Sequence, residues 1–193
     1  MVNRTYALDE LNLCITSCKK CSSMNQGQKR VVGMGTIKPL VLFLGESPGR
    51  LGADQTGIPF TKDRSGKLLR KMIEEIGLGS QEIYITNVLR CNPRNAGGKN
   101  RRPSYDEILN CHEFLLAELN IVRTKVTVPL GETASRELLG KRVRMKEIVG
   151  RVFDHTQFGL IFPLFHPGYI IRGNYPTLRY LQDFEHLRRL VRP

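Results

Sequence analysis

The sequence predicts an α/β protein: a three-layer α/β/α arrangement around a mainly parallel, four-stranded central sheet. Three observations predict it. Four runs rich in apolar and β-branched residues, 39–44, 82–89, 125–131 and 160–165, have strand length and are bounded by turn residues. Segments of helical period alternate with them, the order that builds a parallel sheet covered on both faces. The 193 residues suffice for one α/β domain with a real core and are few for two.

Each element has a local reason. "PLVLFL" (39–44) is apolar throughout, as a strand buried on both faces must be. Residues 65–78 place Leu68, Leu69, Met72, Ile73 and Ile76 at helical spacing, with Ser65 as cap and Gly77 as stop. "EIYITNVL" (82–89) is β-branched and strand-like. Residues 104–119 open on Ser104-x-x-Glu107, a capping box, and continue with helical period. "KVTVPLG" (125–131) is a strand, and the short helix after it ends at Gly140. "LIFPLF" (160–165) is a strand running into His166-Pro167. Residues 176–191 form a closing amphipathic helix with Leu178, Leu181, Phe184, Leu187 and Val191 on one stripe.

Thirty Lys and Arg oppose eighteen Asp and Glu, a net charge of +12. Such an excess points to a polyanionic partner, nucleic acid first, with a merely basic soluble protein as the alternative. The N-terminus lacks a continuous apolar signal region, and no run approaches the ~20 apolar residues that span a bilayer. The expectation is therefore a cytoplasmic protein without a membrane partner, where disulfides are rare. The five cysteines then call for another use. Cys18-x-x-Cys21 with Cys91 and Cys111 could close a zinc site or an iron–sulfur cluster, and spacing does not choose between them. Cys14 is left over and reads as a thiol buried against its helix.

Ligands of such sheets bind beyond the carboxyl ends of the strands. Three loops leave those ends with unusual chemistry, Gly45–Phe60, Thr86–Cys91 and His166–Gly173, and they are expected to converge. The first contains Gly45-Glu46-Ser47-Pro48-Gly49, which fits the G-x-S-x-G pattern of a serine-hydrolase elbow. An elbow needs the backbone N–H after the serine for its oxyanion hole, and Pro48 has none. The glycines suit a different task, close approach of backbone to a ligand.

The segments "CKKC", "GESPG…TGIPF", "YITNVLRCNPR", "RRPSYDEILNCHEFL" and "FPLFHPGYIIR" resemble, in order and over most of the chain, the uracil-DNA glycosylase superfamily, in its iron–sulfur families 4 and 5. The resemblance implies one domain over 1–193, with residues 1–38 as an N-terminal cluster-binding segment packed on it. It implies a structural [4Fe–4S] cluster on Cys18, Cys21, Cys91 and Cys111, with zinc the alternative. The implied reaction is hydrolysis of the bond between uracil and deoxyribose, leaving an abasic site in DNA. His166 would donate to uracil O2 as negative charge develops. Asn87 would read O4 and N3–H, Phe60 would stack on the base, and Gly45 and Ser47 would line its pocket. Glu46 would orient the attacking water, with Asp54 or Asp63 able to share that role. "PGYIIRG" resembles the loop that enters the minor groove, so Ile170 is expected as the wedge, with Tyr169 beside it and Arg172 on a phosphate. The basic stretch 90–103 is expected as a phosphate-contacting loop.

The first motif departs from family 4. It is longer, and Ala53 stands where that family carries an acid; its length and "FTKDRSGKLL" look more like family 5, which accepts a wider set of damaged bases. Hypoxanthine and xanthine are therefore alternative substrates. No lysine is placed by a motif to form a Schiff base, so a monofunctional, monomeric enzyme is expected. The rivals are a non-catalytic iron–sulfur protein that binds nucleic acid, and a serine esterase acting through Ser47.

Overall fold

A computed structural model of the chain describes residues 3–24, 27–140 and 142–192. The apolar runs form β2 and its neighbours in a sheet of β1 (Met34–Gly35), β2 (Val41–Gly45), β3 (Ile83–Asn87), β4 (Val126–Pro129), β5 (Phe153–His155) and β6 (Gly159–Ile161). Its order is β1-β3-β2-β4-β6-β5. β2, β3, β4 and β6 are parallel, as expected. The sheet has six strands rather than four because β1 and β5 pair antiparallel on its two edges. Both are too short to leave an apolar run in the sequence.

Prolines set where the ladders stop, since they lack the N–H a central strand must donate. β4 ends on Pro129, and β6 ends before Pro163. Beyond them the chain stays extended: Leu164 N–H donates to Pro129 O at 3.0 Å, and Gly131 N–H to Leu164 O at 2.8 Å. That extension delivers His166 to the carboxyl end of the sheet beside Gly131.

Helices α1 (Arg4–Thr16), α2 (Ala53–Thr56), α3 (Arg64–Glu75), α4 (Tyr105–Ile121), α5 (Glu132–Leu139), α6 (Met145–Ile148), α7 (Pro167–Ile171) and α8 (Thr177–Val191) connect and cover the strands. Ser104 and Glu107 form the expected capping box. α3 is capped by Asp63, whose Oδ1 accepts from Gly66 N–H at 2.7 Å, so Ser65 lies inside the helix. Alternation along β2 divides the core. Val41 and Phe43 pack with Leu69, Phe162 and Phe184 on one face; Leu42 and Leu44 pack with Tyr84, Leu115 and Leu119 on the other. In α8 the buried stripe is Tyr180, Phe184, Leu187 and Val191. Leu178 was expected on it but is 68% exposed, because it sits in the first turn on the side away from Tyr180. Cys14 is also exposed on α1, not buried. Among the described residues no helix is long and apolar enough to cross a membrane.

Candidate active site and cysteine pocket

The strand ends bring the site together. Gly45 and Asn87 are register partners on β2 and β3. Asn87 is 2% exposed, and its Oδ1 accepts no hydrogen bond from any described residue. A buried carbonyl left unpaired costs free energy, and such a group commonly awaits a ligand. Phe60 lies beside it, its ring centroid 5.8 Å from that of His166. A methyl built on Gly45 would collide with Asn87 Oδ1 and lie 2.6 Å from Phe60 Cε2. Only glycine lets Asn87 and the Phe60 ring come this close to the end of β2. We expect Gly45→Ala to cut base release by roughly tenfold to a hundredfold, the cost of an ångström-scale displacement of a positioned group. Single-turnover kinetics would check this, with the circular dichroism spectrum unchanged.

Phe60 is held under strain. Its φ of 50° is a left-handed conformation that a bulky side chain seldom adopts. Arg70 clamps it, donating to Phe60 O at 2.7 Å and Pro59 O at 3.0 Å. Gly66, by having no side chain, lets α3 approach the Phe60 backbone.

His166 is the N-cap of α7, and Pro167 fills the first helical position. Its Nδ1 accepts from Gly168 N–H at 3.0 Å. A nitrogen that accepts carries no proton, so in the neutral ring the hydrogen is on Nε2. Burial, with the nearby Arg172 charge adding to it, lowers the His166 pKa to about 4. The imidazole is therefore a neutral donor at physiological pH.

Glu46 leaves β2 with its Oε2 accepting from Thr133 Oγ1 at 2.5 Å. Thr133, on the first turn of α5, is a site residue the sequence did not announce; "ETAS" reads only as a helix start. Ser47 is half-buried on the same loop. Asp54 is buried and committed elsewhere: Arg94 pairs with its Oδ2, and Lys29 N–H donates to Oδ1 at 3.0 Å. Asn92 Nδ2 donates to Pro48 O at 2.6 Å. The segments that follow the cysteines thus fasten the active-site loop from outside, and Asp54 acts in that clasp.

The expected wedge is corrected. Residues 167–171 form a one-turn helix, and Ile170 is 5% exposed within the core. In this arrangement Ile170 packs in the core and does not project from an open loop. Tyr169 is half-buried and stacks on Phe165 with centroids 4.6 Å apart. Arg172 is exposed at the rim, its guanidinium near Gly168. The basic stretch is also partly internal: Arg90 is 1% exposed, Arg94 pairs with Asp54, and Arg101 with Glu107. Lys99 and Arg102 remain on the surface.

Cys18, Cys21, Cys91 and Cys111 line one pocket, with Arg30, Arg90 and Asn110 among its walls. A donor faces their sulfurs: Asn110 Nδ2 donates to Cys21 Sγ at 3.5 Å. Burial pushes the Cys91 thiol up to about 12, and Arg30 opposes that rise. Burial raises Cys111 too, with Arg90 opposing. Among the described residues no three His, Cys, Asp or Glu side chains group to hold a metal ion.

Comparison with known proteins identifies the family. A family model described as the uracil DNA glycosylase superfamily matches residues 32–188. A type-4 uracil-DNA glycosylase of Thermotoga maritima is 32% identical, covering 100% of this chain and 98% of its own length. One from Archaeoglobus fulgidus is 33% identical over 95% of this chain and 93% of its own. A type-5 uracil-DNA glycosylase of Pyrobaculum aerophilum is 31% identical over 54% of this chain and 50% of its own length.

Proposed function

The chain belongs to the uracil-DNA glycosylase superfamily and to its type-4 branch, and from that premise we propose that it is a monofunctional enzyme releasing uracil from DNA by hydrolysis of the N-glycosidic bond. One observation supports the reading above the others. An unpaired buried amide oxygen on Asn87, the Phe60 ring and the His166 donor lie together at the strand ends, where Gly45 lets Asn87 and Phe60 approach closely.

Chemistry on a base requires that it leave the duplex stack. In this reading the extruded uracil stacks on Phe60, and Asn87 Oδ1 accepts from N3–H while its amide nitrogen donates to O4. The bond between C1′ and N1 breaks with its electron pair passing to N1, through an oxocarbenium-like state. The negative charge spreads to O2, where His166 Nε2–H strengthens its hydrogen bond. Glu46, held by Thr133, orients the water that adds to C1′ and takes up the proton released. Ser47 serves as a water contact. Arg172, Tyr169 and the surface cations Lys99 and Arg102 face the DNA.

For the cofactor, the residues fit a [4Fe–4S] cluster. Four cysteines share a pocket with a sulfur-directed donor on Asn110, and a cluster takes each thiolate on a different iron. When bound it ties residues 1–38 to the loop after Cys91 and to α4, as a structural element of a monomeric cytoplasmic protein.

The deciding experiment is base release from labelled single- and double-stranded oligonucleotides carrying uracil, hypoxanthine or xanthine. Uracil release, with strand scission only after alkali, is expected; no base released from any of them would overturn the reading. The purified protein should be brown with about four irons and four sulfides per chain. A colourless protein with stoichiometric zinc would replace the cluster.

A further inference from the structure

A buried cation stands between the cysteine pocket and the base-reading strand. Arg90 is 1% exposed and lines the pocket beside Cys91 and Cys111. Its NH2 donates to Glu118 Oε2 at 2.8 Å, and its NH1 to Thr86 Oγ1 at 2.5 Å. Thr86 adjoins Asn87, and Glu118 also accepts from Thr86 Oγ1 at 2.7 Å and Tyr84 OH at 3.0 Å. Every carboxylate oxygen of Glu118 is thus engaged, yet Arg90 Nε, buried, meets no acceptor among the described residues. A guanidinium so tightly held with one nitrogen lacking any acceptor is unusual, because a buried unpaired donor is costly.

Arg90 lines the same pocket as Cys18, Cys21, Cys91 and Cys111, so sulfur is the acceptor chemistry on offer beside it. The pocket holds four thiols whose ligand form is anionic, so a cluster on them carries net negative charge in a poorly solvated place. Hydrogen bonds to cluster sulfurs and nearby charge are the levers by which a protein sets a cluster's potential.

We infer that Arg90 is a positioning and tuning residue for the cluster: its Nε–H donates to a sulfur of the cluster or its ligands, and its charge, moderated by Glu118, sets the reduction potential. The inference rests on the iron–sulfur reading above. It assigns Glu118 the role of fixed counter-ion. It also gives the Thr86–Arg90–Glu118 network a function beyond packing, since one guanidinium joins the cofactor's surroundings to the strand that carries Asn87.

The test uses the intact, iron-loaded chain and its Arg90→Lys and Glu118→Gln variants, each checked for iron content and fold. Potentials are read by spectroelectrochemical titration, and cluster retention by the decay of visible absorbance under an iron chelator. Arg90→Lys keeps a charge but loses Nε, so its potential should fall and its cluster should be lost at least several-fold faster. Glu118→Gln removes the counter-charge and should move the potential up. That opposite shift keeps the idea testable if Arg90→Lys does not fold, because damaged packing would not raise a potential. Iron-loaded variants with wild-type potentials would overturn the inference while leaving the cofactor intact. An iron-free wild-type protein would overturn the cofactor reading itself.

Discussion

Replacing His166 with alanine should slow uracil release by roughly 100- to 1,000-fold, the usual cost of removing one donor from a developing oxyanion. The loss should fall on kcat more than on KM, because the hydrogen bond to O2 strengthens only as the base departs with its electron pair. The fold makes this donor neutral. Burial holds the His166 pKa to about 4, and the Gly168 N–H fixes the proton on Nε2. The rate should therefore show no limb from this histidine between pH 5 and 8. Stability should show one. Between about 6.5 and 4 the unfolded chain binds a proton that folded His166 refuses, so stability is full above that window and lost as pH falls through it. Thermal melts of wild type and His166→Ala across pH 7 to 4.5 would measure the difference. A variant with wild-type kcat would remove His166 from the chemistry.

What could be read in advance follows from how local the physics is. A strand buried on both faces must be apolar at every position, so β2 announced itself, and a capping box needs only Ser104 and Glu107. The edge strands β1 and β5 carry no such demand. Charged residues were the hardest to place. Arg90 sits in a run of cations that reads as a DNA-contacting loop, but its partner Glu118 is 28 positions away, and no local pattern reports that pairing. Asp54 and Arg94 are 40 positions apart, so an acid that looked available for water is engaged in a clasp. Ile170 misled for another reason. The resemblance of "PGYIIRG" suggested a loop, whereas Pro167 at the first helical position starts α7, in which Ile170 is buried. The convergence of Gly45, Asn87 and His166 was legible because the carboxyl ends of parallel strands are adjacent wherever the sheet forms.

That same adjacency makes Asn87 the place where substrate choice should be most sensitive. Asn87→Ala removes two buried hydrogen bonds to the base. At about 1–3 kcal/mol each, their loss corresponds to roughly 30-fold to 10⁴-fold in uracil release. Asn87→Asp asks a sharper question. Uracil presents an acceptor at O4 and a donor at N3, and cytosine presents the reverse. A carboxylate accepts from the exocyclic amine of cytosine but repels O4 of uracil, so the ratio of uracil to cytosine release should collapse, mainly through uracil. The backbone of Asn87 is fixed by its pairing with Gly45 and by Val88 N–H on Gly45 O at 2.9 Å. The substitution therefore changes the pattern of donors without moving the reader. If Asn87→Asp kept the wild-type preference for uracil over cytosine, the discrimination would have to lie in the Phe60 loop or in backbone groups. Asn87 would then be only the floor of the cleft.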